Sequence, residues 1–223
     1  VVCEFQLADQ NWEDTFTQVT MTRDGEALPT QVEKEVSNLN LDWRKRVVFR
    51  ARLAPSQMNR FEGRLEVLPE KPPLSAMPEQ DAIHFCTAEL EVVINTTTGL
   101  VDRYRVNGVE YVAPGAFAAK VIRDSEDPWG MQVRSFRDVI GTFRLMRAEE
   151  SAAFSGVSSD TLPPVRIVED GPVRMVVEAV FAYGRSALQQ RYILPKQGTE
   201  IGLETRVQWA EKDRMLKLAV PTL

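Results

Sequence analysis

Residues 90–112 read Leu90-Glu91-Val92-Val93-Ile94-Asn95-Thr96-Thr97-Thr98-Gly99-Leu100-Val101-Asp102-Arg103-Tyr104-Arg105-Val106-Asn107-Gly108-Val109-Glu110-Tyr111-Val112. Three β-prone runs are separated here by two turn signals, Thr96 to Gly99 and Asn107-Gly108. An Asn-Gly pair supplies the two positive-φ positions of a type I′ hairpin turn, whose twist matches that of the strands it joins. The stretch therefore predicts a meander of three antiparallel strands, and it sets the fold class as all-β.

The same pattern continues in both directions. Downstream, Val173 to Phe181, Leu188 to Leu194, Ile201 to Trp209 and Met215 to Val220 are β-prone runs. Tyr183-Gly184-Arg185-Ser186 and Lys196-Gln197-Gly198-Thr199 separate three of them. Gly171-Pro172, after Val168-Glu169-Asp170, reads as a tight turn between strands. Runs this long suggest a large twisted sandwich rather than a small barrel. Upstream, Phe16 to Thr22 leads into the hairpin signal Asp24-Gly25, and Arg46 to Leu53 and Phe61 to Leu68 read as further strands. Such strands wet one face and bury the other, as antiparallel sheets do. Between these sections lie Pro69, Pro72, Pro73 and Pro78. Proline removes ladder donors and stiffens the chain, so this segment reads as a linker. The expected organisation is a small β-sandwich subdomain of about five strands over 1–72, then a larger sandwich over 79–223. Helix is expected to be scarce. Arg134 to Ile140 could make one or two turns, and Gln31 to Asn38 has helical propensity but follows Pro29 and is expected to be extended.

The net charge of -5 argues against a nucleic-acid partner, since phosphate binding needs a basic face. No apolar run approaches the roughly 20 residues that span a bilayer, and a soluble chain is expected. The chain opens without Met and stops after a strand-like run, so both ends are expected to lie inside a longer protein. Its two cysteines, Cys3 and Cys86, fit free thiols in a reducing cytoplasm better than a disulfide framework. The single histidine, His84, lies in the alternating run Ile83-His84-Phe85-Cys86 and reads as a strand residue. A tetrahedral zinc site needs several His or Cys ligands, so no self-contained site is expected.

Chemistry is hard to find in the chain. No nucleophile elbow, phosphate loop, Cys-x-x-Cys or His-Glu-x-x-His occurs. The unusual segment is Asp124-Ser125-Glu126-Asp127-Pro128-Trp129-Gly130-Met131. It joins the acids Asp124, Glu126 and Asp127 to Trp129, bounded by Pro and Gly. Carboxylates on sugar hydroxyls and an aromatic ring on the apolar sugar face are a common way to hold a carbohydrate. Two readings stay open: a sugar-facing or interdomain rim, or a loop whose Trp plugs the sandwich edge. Trp12, Trp43 and Trp209 read as packing residues.

Taken in order, several segments resemble the β-rich region that follows the catalytic domain in glycoside hydrolase family 38 α-mannosidases, bacterial ones especially. Phe5 to Trp12 is similar to the segment entering the first β-subdomain. Leu90 to Asn95 with Thr98-Gly99-Leu100-Val101 looks like the family's strand, turn, strand unit. Glu169-Asp170-Gly171-Pro172-Val173-Arg174 looks like its Glu-x-Gly-Pro-x-Arg turn. Ser186 to Tyr192 and Val207 to Glu211 are similar to later strands, and Met215 to Pro221 to the Leu-Lys-Leu-x-(Phe/Val)-Pro strand.

The resemblance implies that the larger domain is a truncated, galactose-mutarotase-like supersandwich. It implies a catalytic β/α domain outside this chain, carrying the nucleophile and most ligands of a zinc or similar divalent ion. This chain would then hold no catalytic residue, no metal ligand and no cofactor. Its expected partners are its own catalytic domain and, in the full-length enzyme, an α-mannoside, in a bacterial cytoplasm. The sequence also allows a free-standing carbohydrate-binding or a purely structural sandwich module. An edge left open near Leu216 to Val220 is expected to promote self-association.

Overall fold

The computed structural model describes residues 1–6, 15–33, 44–74, 76–79, 81–132 and 135–223, with the backbone alone for 4–6. Trp12 and Trp43, the segment 7–12 and residues 34–38 lie outside the described residues. The chain divides into two units, Val1–Ser75 with Glu169–Met175, and Ala76–Val168 with Val176–Leu223.

The first unit contains β1 (Val2–Gln6), β2 (Phe16–Arg23), β3 (Glu26–Ala27), β4 (Thr30–Glu33), β5 (Arg44–Phe49) and β6 (Glu62–Leu68). They form two three-stranded sheets, ordered β1-β5-β4 and β3-β2-β6. Strict alternation in β2 buries Val19 and Met21, which meet Val47 and Phe49 of β5. Each such side chain contributes about 1.5–3 kcal/mol on full burial. Phe61 closes this core edge-on against Phe49, with ring centroids 5.0 Å apart. Asp24 and Gly25 both take positive φ, as a type I′ turn requires. β5 ends at Phe49, short of the expected Leu53. Beyond it the Asn59 side chain accepts the Ala54 N–H at 2.8 Å and shapes a local turn in place of a ladder.

The second unit contains β7 (Ala82–Cys86), β8 (Leu90–Asn95), β9 (Val101–Val106), β10 (Val109–Glu110), β11 (Ala118–Arg123), β12 (Val139–Thr142), β13 (Arg144–Leu145), α1 (Ala148–Ser155), β14 (Val165–Asp170), β15 (Arg174–Tyr183), β16 (Ser186–Pro195), β17 (Gly202–Gln208) and β18 (Arg214–Ala219), except that β14 and β15 run on into residues 169–175. The meander of residues 90–112 is present as the sheet β10-β9-β8-β7. Asn107 and Gly108 have positive φ, and Val106 pairs with Val109 across the turn. A second sheet is ordered β12-β11-β18. A third, of five strands, runs β13-β15-β16-β17, with β14 on β15. β15 is buried on both faces from Met175 to Phe181, which is why that stretch is apolar without alternation apart from the buried Glu178.

Gly99 explains one of the family-like motifs. It sits at φ +74°, and a Cβ there would come within 2.7 Å of Leu145 and 2.8 Å of Phe181. Its carbonyl accepts the hydroxyl of the buried Tyr192 at 2.8 Å, so the turn is fixed to β16.

The all-β expectation and the scarcity of helix both hold, and only the one or two helical turns allowed at Arg134 to Ile140 are corrected. Residues 135–138 are irregular and Val139–Thr142 is a strand, so the described part of 134–140 is not helical. The one helix among the described residues is α1. Glu150 starts it: its carboxylate accepts the Arg147 N–H at 2.9 Å and a bidentate pair from Arg144 at 2.7 and 2.8 Å. Gly156, at φ 66°, ends it in the left-handed region. Among the described residues no helix is long and apolar enough to cross a membrane.

Candidate functional site

The acidic-Trp segment leaves the end of β11 and returns at β12, its antiparallel partner. Arg123 and Asp138 close the base of the loop, through a side-chain ion pair at 2.6 Å and a backbone hydrogen bond at 2.8 Å. The Asp124 N–H donates to the Asp213 carbonyl at 2.9 Å, which ties the loop to the start of β18.

The four residues singled out by sequence divide into two pairs. Asp124 and Asp127 build the loop. Asp124 accepts the N–H of Ser125 at 2.8 Å. Asp127 accepts the N–H of Trp129 at 3.0 Å on one oxygen, and those of Met131 and Gln132 at 2.7 and 3.1 Å on the other. These three donors hold its carboxyl below the usual carboxylate range, the Trp129 N–H contributing most. A carboxylate has about four lone-pair sites, so Asp127 has little capacity left for a ligand. Glu126 and Trp129 instead face outward. Trp129 is 84% exposed and Met131 74%, so the indole does not plug the sandwich edge in this chain. The result is a short hydrogen-bonded arch that presents an indole and a thioether to solvent.

Of the three Trp residues expected to pack, Trp209 is described, and it is 37% exposed. Trp209 stacks on Phe143 with centroids 6.3 Å apart. His84 is an exposed residue of β7, across from Val93 of β8. Cys3 and Cys86 are free thiols.

The divalent ion that the resemblance implies finds no ligand set among the described residues. Among the described residues no three His, Cys, Asp or Glu side chains gather into a set that could hold a metal ion.

The family model for the C-terminal domain of glycosyl hydrolases family 38 matches residues 89–223, more than half of the chain. The chain belongs to glycosyl hydrolase family 38. Full-length members of the family are glycosidases, and the matched part is a β-rich accessory region. A search of curated proteins found no match to the chain. The matched region of this family 38 chain includes the whole arch from Asp124 to Met131. It also includes one constellation that sequence reasoning missed: Glu178, buried on β15, with Arg166, Gln189 and Arg191 around it. The signals for it in the sequence are the lone acid Glu178 inside the apolar run of β15 and the alternating charges Glu204 and Arg206 of β17, the partner of β16.

Proposed function

We propose that this chain is the non-catalytic β-sandwich region of a bacterial, cytoplasmic α-mannosidase, packing on a catalytic β/α domain and forming part of the rim of its active site. The observation that carries this reading is the arch at residues 124–132. Trp129 and Met131 stand out in water side by side on a loop held by three hydrogen bonds to one carboxylate, and together they make a small apolar patch that a partner can cover. The catalytic carboxylates and the divalent metal would belong to the partner domain. Asp127 acts as a positioning residue, and Trp129 and Met131 make the contact.

Two results are expected. The 223-residue chain does not hydrolyse 4-nitrophenyl α-mannoside, because glycoside hydrolysis needs two positioned carboxylates. In the full-length enzyme, Asp127→Ala lowers kcat/KM roughly tenfold or more, while the circular dichroism spectrum is retained. Turnover by the chain itself, or unchanged kinetics in the variant, would refute the rim reading.

The open edge of β18 supports a further partner, a second copy of the chain. Among the described residues β18 pairs with β11 alone, and Leu218 within it and Val220 just past its end are 40% and 44% exposed. Unpaired edges recruit other strands. Sedimentation velocity of the chain is expected to show a dimer that grows with concentration, and a monomer throughout would count against it.

A further inference from the structure

One face of the five-stranded sheet carries a row of polar side chains. Glu178 of β15 is 2% exposed and accepts hydrogen bonds from Arg166 of β14 and from Gln189 and Arg191 of β16. The register of β16 with β17 sets Arg206 opposite Gln189 and Glu204 opposite Arg191. Directly opposed residues share a face of the sheet. Together with Thr205, these four line a cleft of about 200 Å³. That is smaller than the roughly 300–1,000 Å³ of drug-sized ligand sites, and suits one ring rather than a chain of them.

The floor of this cleft is pre-organised and its functional groups are unspent. Glu178 fixes Arg191 through Nε and Gln189 through Nε2. The terminal nitrogens of Arg191 and the Oε1 of Gln189 make no other hydrogen bond among the described residues. Glu204 and Arg206, both exposed, make none either. The four positions form a checkerboard. Gln189 accepts opposite Arg206, which donates; Arg191 donates opposite Glu204, which accepts. A phosphate or carboxylate ligand would meet Glu204, and a cation would meet two guanidinium groups. A ring of neighbouring hydroxyls, each both donor and acceptor, satisfies all four.

We propose that this cleft binds a single neutral pyranose ring, as a subsite separate from the arch at residues 124–132. The probe is methyl α-mannopyranoside, titrated into the isotope-labelled 223-residue chain and followed by amide chemical shifts. The expected result is saturable shifts at residues 189–191 and 204–206, with millimolar affinity. Glu204→Gln and Arg206→Ala, exposed positions whose replacement leaves the core intact, should each weaken binding about fivefold or more. Absence of saturable shifts, unchanged affinity in both variants, or inorganic phosphate binding at these residues where the mannoside does not would overturn the proposal. The titration involves no turnover, so its failure leaves the rim reading standing.

Discussion

Arg174→Met is expected to destabilise the first unit by about 3–5 kcal/mol, the typical cost of stranding a buried charge. Arg174 makes a bidentate pair with Glu33, Nε to Oε1 at 2.7 Å and Nη2 to Oε2 at 2.6 Å, and the Glu33 side chain is only 4% exposed. Removing the guanidinium leaves that carboxylate with the Gln31 amide at 2.8 Å and Arg46 at 4.0 Å, too little to offset its desolvation. The same Gln31 caps the turn that carries Arg174. Its Oε1 accepts the N–H groups of Val173 and Arg174 at 3.0 and 2.9 Å. A Cβ on Gly171 would come within 2.6 Å of that oxygen, so glycine is the residue that allows the approach. The turn that resembles Glu-x-Gly-Pro-x-Arg is thus a docking device: Gly for access, Pro for shape, Arg for Glu33, and Glu169 for Lys71 at 3.0 Å. In a thermal melt the variant should lose more than about 10 °C in the transition of this unit. The double variant Glu33→Leu with Arg174→Met should recover much of the loss, since replacing both members of a buried pair is often close to neutral. A single variant that melts with the parent would show that the pair contributes nothing.

Glu178→Ala should cost the second unit about 3 kcal/mol or more. The carboxylate is 3% exposed and lies among the Arg166 and Arg191 guanidinium groups and the Gln189 amide. Arg166 also reaches Ser151 and Ser155 of α1, at 3.3 and 3.2 Å. Loss of Glu178 therefore releases both arginines into repulsion and loosens the seat of the helix. Arg166 and Arg191 keep 22% and 30% of their side-chain surface, so water relieves part of the penalty, and the cost should fall below that of Arg174→Met. Urea denaturation followed by Trp209 fluorescence measures it. A midpoint unchanged from the parent would mean the network is ornamental to stability.

Local signals in the sequence located most strands, and long-range ones were invisible. The meander of residues 90–112 was legible because alternation and Asn107-Gly108 are both local. β15 and β16 were legible from their length. α1 was missed although its signals are present: Glu149 and Glu150 in its first turn and Gly156 just past its end. Its apolar residues are mostly alanine, so no hydrophobic stripe announced it. Val139 and Ile140, which open β12, fell in a stretch that could have made one or two helical turns, because four residues, Val139–Thr142, are too few to show a period. The grouping of residues 169–175 with the first unit rests on Gln31 and Glu33, about 140 positions away, and no local pattern encodes that.

The arch at residues 124–132 stood out by composition, but its division of labour could not be read from it. Whether an acid faces a ligand or its own backbone depends on loop conformation, and Asp127 turned out to serve the backbone. The cleft at Gln189 and Arg191 depends on the register between β16 and β17. A shift of one residue would send the same side chains to the other face.

The most direct test of the central claim is hydroxyl-radical footprinting of Trp129 and Met131, in the 223-residue chain and in the full-length enzyme. Thioethers oxidise readily, and the indole gives a second reporter on the same arch. In the chain alone both side chains are largely exposed, at 84% and 74%, and should label strongly. If the arch meets the catalytic domain at the active-site rim, labelling of both should fall severalfold in the full-length enzyme, and fall further when a mannoside inhibitor is bound. Equal labelling of Trp129 and Met131 in the two proteins, with or without inhibitor, would contradict the account.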